Sequence, residues 1–268
     1  MAFFDCHFFS DALGLSVSTY VLVPQKTSRQ IGLVGGETRA SYPTLYLLHG
    51  LSDDHTIWMR RTSIERYAAA KNIAVVMPSV ARSYYQDMAS GPKYWTFLSE
   101  ELPAAMRQFF PLSAAREDNF AAGLSMGGYG AMRLGLACPD KFAAAASFSG
   151  ALDYVKHLKE AGKEGSRISK AEWFGIAGPE LKGEGTDSDL FATAQRLAGG
   201  GSPRPKLYIA CGTEDGLLED NRSLHRHLDS IHYEHTYEES PGTHEWGYWD
   251  AQIRKTLEWL PIRNDSRP

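Results

Sequence analysis

A serine set between glycines, an aspartate and a histidine, in that order along the chain, are the residues best suited by type and spacing to do chemistry. Gly123-Leu124-Ser125-Met126-Gly127 is the chain's single G-x-S-x-G. A serine hydroxyl is a poor nucleophile until a neighbouring base takes its proton, and that base needs a third group to orient it. The context suits such a role. The motif closes an apolar run, NFAAG, and opens a helix-like run, MGGYGAMRLGLA. A sharp strand–turn–helix connection exposes the serine, and the flanking glycines let strand and helix approach without β-carbon clashes. The bland alternative is a glycine-rich turn whose serine caps the helix.

Attack on an acyl carbonyl develops negative charge on its oxygen, which preorganised N–H donors must meet. The amide of Met126, next after the serine and at a helix start, is one expected donor. The amide of Leu51, in the His49-Gly50-Leu51 turn after the run YLLHG, is the other. His49 is a rival base, though its place after the third strand suits a loop-shaping role.

Nine histidines compete for the role of base. His225, His227 and His232 lie on or beside a polar helix, and His235 lies in a strand-like run. His244, in the turn-rich Pro241-Gly242-Thr243-His244-Glu245-Trp246, precedes the final helix and is the expected base. Asp215, in CGTEDG after the run KLYIA, is the expected acid. Glu214 and Asp220 are close rivals, and Asp153 is a further one.

These residues need a scaffold. LSVSTYVLV (15–23) alternates Leu15, Val17, Thr19, Val21 and Val23 on one face, the period of a half-buried strand, and pairs with FFDCHFF as an antiparallel hairpin. Apolar runs at 44–50, 73–79, 119–125, 143–150 and 206–212 alternate with helix-like stretches at 57–71, 95–110, 126–138 and 219–231. A strand-like run at 233–239 and a helix over 245–260 follow. That rhythm predicts an α/β fold, a mostly parallel sheet covered by helices on both faces. Residues 1–268 read as one domain, with 151–188 interrupting the rhythm as a cap or lid insertion that carries Trp173-Phe174.

Composition excludes several classes. With 28 basic and 32 acidic residues the net charge is −4, which leaves no basic footprint for nucleic acid or an anionic membrane. Cys6, Cys138 and Cys211 lack metal-site spacing and read as structural thiols. The reading calls for no metal or cofactor. The start of the chain lacks a basic segment and a cleavage site, so the cytoplasm is the expected compartment. The expected partner is a small-molecule ester, and the loops 79–94 and 151–188 are where a homo-oligomer would make contact.

The chain resembles the bacterial tributyrin-esterase branch of the S-formylglutathione hydrolase and esterase D superfamily, with feruloyl esterases and mycolyltransferases as more distant kin. The likeness is carried by YLLHGLSDD with Trp58, VMPSVARSYYQDMASGPKYW, EELP (100–103), GLSMGGYGAMRLGLACPDKF, CGTEDGLLEDN and HEWGYWD. It implies the α/β-hydrolase fold, the triad Ser125, Asp215 and His244, oxyanion donors at Leu51 and Met126, and serine carboxylesterase activity on short acyl chains. Acetyl or feruloyl esters of carbohydrate, S-formylglutathione, and a catalytically dead binding module are the alternatives. Leu124 stands where S-formylglutathione hydrolases commonly carry His, and Asp53-Asp54 replaces a usual Gly-Asn. Trp58 and Trp246 are the expected substrate-binding residues, with Tyr84 and Tyr85 completing an aromatic wall that favours short chains.

Overall fold

The computed structural model describes residues 1–31 and 36–263. The chain opens with the expected hairpin, β1 (Ala2–Ser10) against β2 (Leu15–Val23). The other strands are β3 (Thr44–Leu48), β4 (Ala74–Pro78), β5 (Asn119–Leu124), β6 (Ala144–Phe148), β7 (Lys206–Gly212) and β8 (Thr236–Ser240). Among the described residues they form one sheet in the order β1-β2-β4-β3-β5-β6-β7-β8. β2 joins β4 antiparallel, and from β4 to β8 all neighbours are parallel. Leu15 is exposed, while Val17, Thr19, Val21 and Val23 are buried as their alternation requires.

Helices connect the strands: α1 (Ile57–Arg61), α2 (Ile64–Lys71), α3 (Tyr94–Thr96), α4 (Leu102–Phe109) and α5 (Met126–Ala137). After β6 come α6 (Tyr154–Lys159), α7 (Lys170–Ala177) and α8 (Leu190–Gly199), then α9 (Leu218–Ser230) and α10 (Trp246–Trp259). The strands alternate between two cores. Leu45, Leu47, Val75, Phe120 and Ala210 pack with α1, α2 and α10 through Trp58, Ile64, Ala68, Trp249 and Ile253. Tyr46, Leu48, Val76, Ala121 and Ile209 face the other way, toward Met106, Met132, Leu197 and Leu224 of α4, α5, α8 and α9. Fully burying one such side chain is worth about 1.5–3 kcal/mol, so a strand that is apolar on both faces is stable only with helices on both.

Two helices depart from the expected pattern. The stretch 57–71 breaks at Thr62-Ser63, because Asp250 of α10 accepts the Ser63 amide at 3.0 Å and the Tyr67 hydroxyl at 2.9 Å. The stretch 95–110 contains a π turn, Phe97–Glu101, just before Pro103. Proline has no N–H to give the Ser99 carbonyl one turn back. Lys141 Nζ donates to that carbonyl instead, at 3.1 Å. Glu101, within the EELP run, accepts from Ser10 Oγ and from the amides of Asp11 (2.7 Å) and Ala12 (3.3 Å), holding the hairpin turn.

Candidate active site

Ser125 lies between β5 and α5 with φ 53° and ψ −120°, a conformation a side-chain-bearing residue holds only under constraint. Its amide donates to the Phe148 carbonyl at 2.9 Å, and its carbonyl accepts from Ala151 at 3.1 Å. The flanking glycines are sterically required. A Cβ on Gly123 would sit 2.3 Å from the Gly127 carbonyl oxygen, and one on Gly127 would sit 2.4 Å from that of Leu48. The Ser125 side chain makes no capping bond to α5, which removes the bland reading of the motif.

Asp215 is the carboxylate that reaches His244: Nδ1 lies 2.9 Å from Oδ2 and 3.2 Å from Oδ1. Burial alone would raise the Asp215 carboxyl. Hydrogen bonds from His244, from the Leu217 amide (2.8 Å to Oδ1) and from Ser149 outweigh it and hold the group below the usual carboxylate range. An ionised carboxylate only accepts, so Nδ1 of His244 donates and Nε2 is left with its lone pair. The ring packs edge-on against Trp249, centroids 4.8 Å apart.

The loops that carry acid and base are knitted by main-chain bonds. Thr213 N donates to Ser240 O at 3.0 Å and Glu214 N to Gly242 O at 3.1 Å. The contact is close enough that a Cβ on Gly212 would fall 2.1 Å from the Gly242 oxygen. Glu214, a rival for the acid, accepts the Gly242 amide at 2.7 Å and so braces the His244 loop from outside. Asp220 is buried and paired with Lys156 (2.7 Å) and His157 (2.8 Å) of α6. Asp153 caps α6 through the Lys156 amide at 2.9 Å. Each of the three rivals is engaged away from His244.

The turn after β3 lies beside the serine. A Cβ on Gly50 would be 3.7 Å from that of Ser125. Met126 opens α5, so its amide has no partner one turn earlier in the helix. His49 shapes this turn: Nδ1 donates to the Gly50 carbonyl at 2.7 Å, and Nε2 accepts from the Val80 amide at 3.0 Å. Complete burial drives its pKa down to about 4, so it is a neutral strut. Asp53, half-buried beside Gly50, has its carboxyl raised by burial and by the charge of Asp54.

The aromatic residues divide. Tyr84 and Tyr85 are buried core residues, both at positive φ, and do not form the expected wall. Tyr85 donates to the His49 carbonyl at 2.9 Å and Tyr84 to that of Ala151 at 2.8 Å, so they prop the loops on either side of Ser125. Trp58 is also buried, its Nε1 donating to Leu48 O at 3.0 Å. Trp246 is half-buried and meets Trp58 edge-on at 5.3 Å and Trp249 at 5.1 Å. A line of rings thus runs from Trp58 through Trp246 and Trp249 to His244, and within it Trp246 keeps more open surface than Trp58 or Trp249.

Ser149 adds a residue to the site that no sequence motif marks. It follows β6 at φ 48°, fully buried; its hydroxyl accepts the indole N–H of Trp249 at 3.2 Å and favours the charged forms of Asp215 and Cys211. Its one local signal is a serine and glycine closing an apolar strand, as at Ser125.

A strained serine at a strand–helix elbow, an oriented imidazole and a mixed sheet with helices on both faces define a serine hydrolase of the α/β-hydrolase fold. The chain belongs to the esterase family: residues 10–260 match the model described as "Putative esterase". It is 33% identical over 229 residues to an acetyl esterase of Caldicellulosiruptor saccharolyticus, spanning 83% of this chain and 84% of that one. Among solved structures it resembles FphF, a fluorophosphonate-binding serine hydrolase of Staphylococcus aureus, at 34% identity and TM-score 0.86, covering 98% of this chain and 99% of the other. An S-formylglutathione hydrolase (FrmB) of the same organism matches at 35% identity and TM-score 0.82, covering 97% and 98%. The protein is a serine carboxylic ester hydrolase of this superfamily. Among the described residues no helix is long and apolar enough to cross a membrane.

Proposed function

We infer that Ser125, His244 and Asp215 are the catalytic triad of an esterase acting on short acyl chains. The observation that carries this is the 2.9 Å bond orienting His244 on Asp215, at the sheet edge where Ser125 is held in its elbow. His244 Nε2 takes the Ser125 proton as Oγ attacks the ester carbonyl. The amides of Leu51 and Met126 receive the oxyanion, and the alcohol leaves with the proton from His244. Water, deprotonated by His244, then attacks the acyl-enzyme and releases the acid. A fluorophosphonate probe followed by peptide mapping tests the assignment: the label belongs on Ser125, and Ser125→Ala abolishes it while the protein stays folded. A label on another serine overturns the reading.

The short-chain preference, and with it the tributyrin-esterase branch, rests on Trp246, whose half-buried ring is held edge-on between the buried Trp58 and Trp249 beside the base. Rigid rings leave little width for a flexible chain, and the similar proteins named for acetyl and formyl groups are named for small acyl units. The reading extends to residues 151–188 as a cap, since Ala151 bonds Ser125 and Trp173 packs on Tyr84 at 5.1 Å. kcat/KM along a p-nitrophenyl series from acetate to decanoate should peak at or below butyrate. Each methylene that finds an apolar slot gains about 0.8 kcal/mol, so continued gain beyond hexanoate would mean an open channel and defeat the idea.

A further inference from the structure

Away from the sheet edge that carries Ser125, His225 and Asp229 stand one turn apart on α9 and share a face of that helix. His235, just before β8, comes up against them. One nitrogen of each imidazole and a carboxylate oxygen of Asp229 lie within 4.8 Å of one another. Each ring is held. His235 Nδ1 donates to the Tyr233 carbonyl at 2.7 Å, which leaves the lone pair of Nε2 pointing into the cluster. The His225 ring lies flat on Tyr237, centroids 4.0 Å apart and planes 5° from parallel.

The donors and acceptors do not balance. His225 Nδ1 is 2.8 Å from the His235 lone pair, and its Nε2 is 3.5 Å from Asp229 Oδ2. Two acceptors therefore flank a ring that, when neutral, carries one N–H. His235 is only 4% exposed, so water has little access to its side. A cation held by one nitrogen of each imidazole and a carboxylate oxygen of Asp229 removes that mismatch, leaving the other His225 nitrogen to carry the proton. We propose that His225, Asp229 and His235 form a binding site for a divalent transition-metal ion of the zinc class.

Two imidazoles and a carboxylate are ligands of intermediate softness, suited to zinc, copper or nickel rather than to calcium or magnesium. Zinc–nitrogen bonds of about 2.0–2.1 Å in tetrahedral geometry place two nitrogens about 3.3 Å apart, so the rings need part by only about half an ångström. The fourth position is open to water. The ion would tie the last turns of α9 to the approach to β8, the strand whose Ser240 carbonyl receives Thr213 and whose end leads to His244. It would touch none of Ser125, Asp215 or His244, so its role is structural.

The test uses the full-length protein stripped with a chelator, titrated calorimetrically with Zn²⁺ and loaded separately with Co²⁺. One zinc per chain should bind saturably and raise Tm, and Co²⁺ should give the visible bands of a tetrahedral N/O site. His225 and Asp229 are at the surface, so His225→Gln and Asp229→Asn should fold like the parent, with ion-free Tm and ester turnover unchanged. Each should weaken zinc binding about ten-fold or more and alter the cobalt spectrum. Absence of saturable uptake, or uptake and spectra that neither substitution changes, overturns the proposal.

Discussion

Trp249 Nε1 donates to Ser149 Oγ across 3.2 Å, and the same hydroxyl helps to hold the Asp215 carboxyl below the usual carboxylate range. The indole that gives this bond also presents its ring to His244. Asp215 and His244 are therefore both supported from one buried hydroxyl and one indole.

Ser149→Ala removes that support. A hydrogen bond to a charged group is worth about 1.5–3 kcal/mol, so kcat should fall about ten-fold or more. KM for p-nitrophenyl acetate should move little, and Tm should fall modestly, because Trp249 Nε1 loses its buried acceptor at a cost of about 1–3 kcal/mol. A matched loss of Tm with no selective effect on kcat would make Ser149 a packing residue only.

Two aspartates five residues apart should respond in opposite ways. Asp215→Asn disturbs the tautomer and orientation of His244, and in serine proteases the corresponding change costs about 10⁴ in kcat. Asp220→Asn leaves His244 alone but strips Lys156 and His157 of a buried partner. Because Lys156 is 42% exposed and water takes over part of the lost interaction, the cost is about 1–3 kcal/mol of stability, with turnover per folded molecule near that of the parent. Steady-state kinetics beside urea denaturation separates the two. Equal, small kinetic losses from both would move the acid elsewhere.

His49 links stability to acid. Its folded pKa lies near 4, below the usual 6.5, so between those values the unfolded chain binds a proton that the folded chain does not. The contribution is complete above about pH 6.5 and is lost progressively as pH falls toward 4, in total on the order of 3 kcal/mol. His49→Asn should start less stable at pH 7.5 and lose less between pH 7.5 and 5. Parallel losses in urea titrations of parent and variant would contradict this.

The nucleophile's surroundings are legible in the sequence because they are encoded locally. The glycines at 123 and 127 report close backbone contacts, and the apolar run before them reports the strand. Glu214, Asp215 and Asp220 are less distinct from one another in the sequence. The three share one loop and helix start, and only the path of the chain separates a carboxylate that faces His244 from one that braces Gly242 or pairs with Lys156. Features set by distant partners were not legible. The break at Thr62-Ser63 depends on Asp250, 187 residues beyond Ser63. The burial of Tyr84 and Tyr85 depends on carbonyls of His49 and Ala151, and the support from Ser149 depends on Trp249. A tyrosine in a strand-end loop carries no local mark of which way it turns.

The contacts that assemble the site differ in kind from those that hold the helix after Ala151. Ser125 to Phe148, Ala151 to Ser125, Thr213 to Ser240 and Glu214 to Gly242 all join amide to carbonyl. Lys156 and His157 meet Asp220 through side chains alone. Amides and carbonyls survive almost any substitution, whereas an ion pair is lost with either partner. Variation can therefore rewrite how α6 pairs with α9 while the loops that carry Ser125, Asp215 and His244 stay joined. Main-chain contacts of this kind let the sequence of those loops drift, whereas the support that Ser149 and Trp249 give to Asp215 and His244 is lost with either side chain.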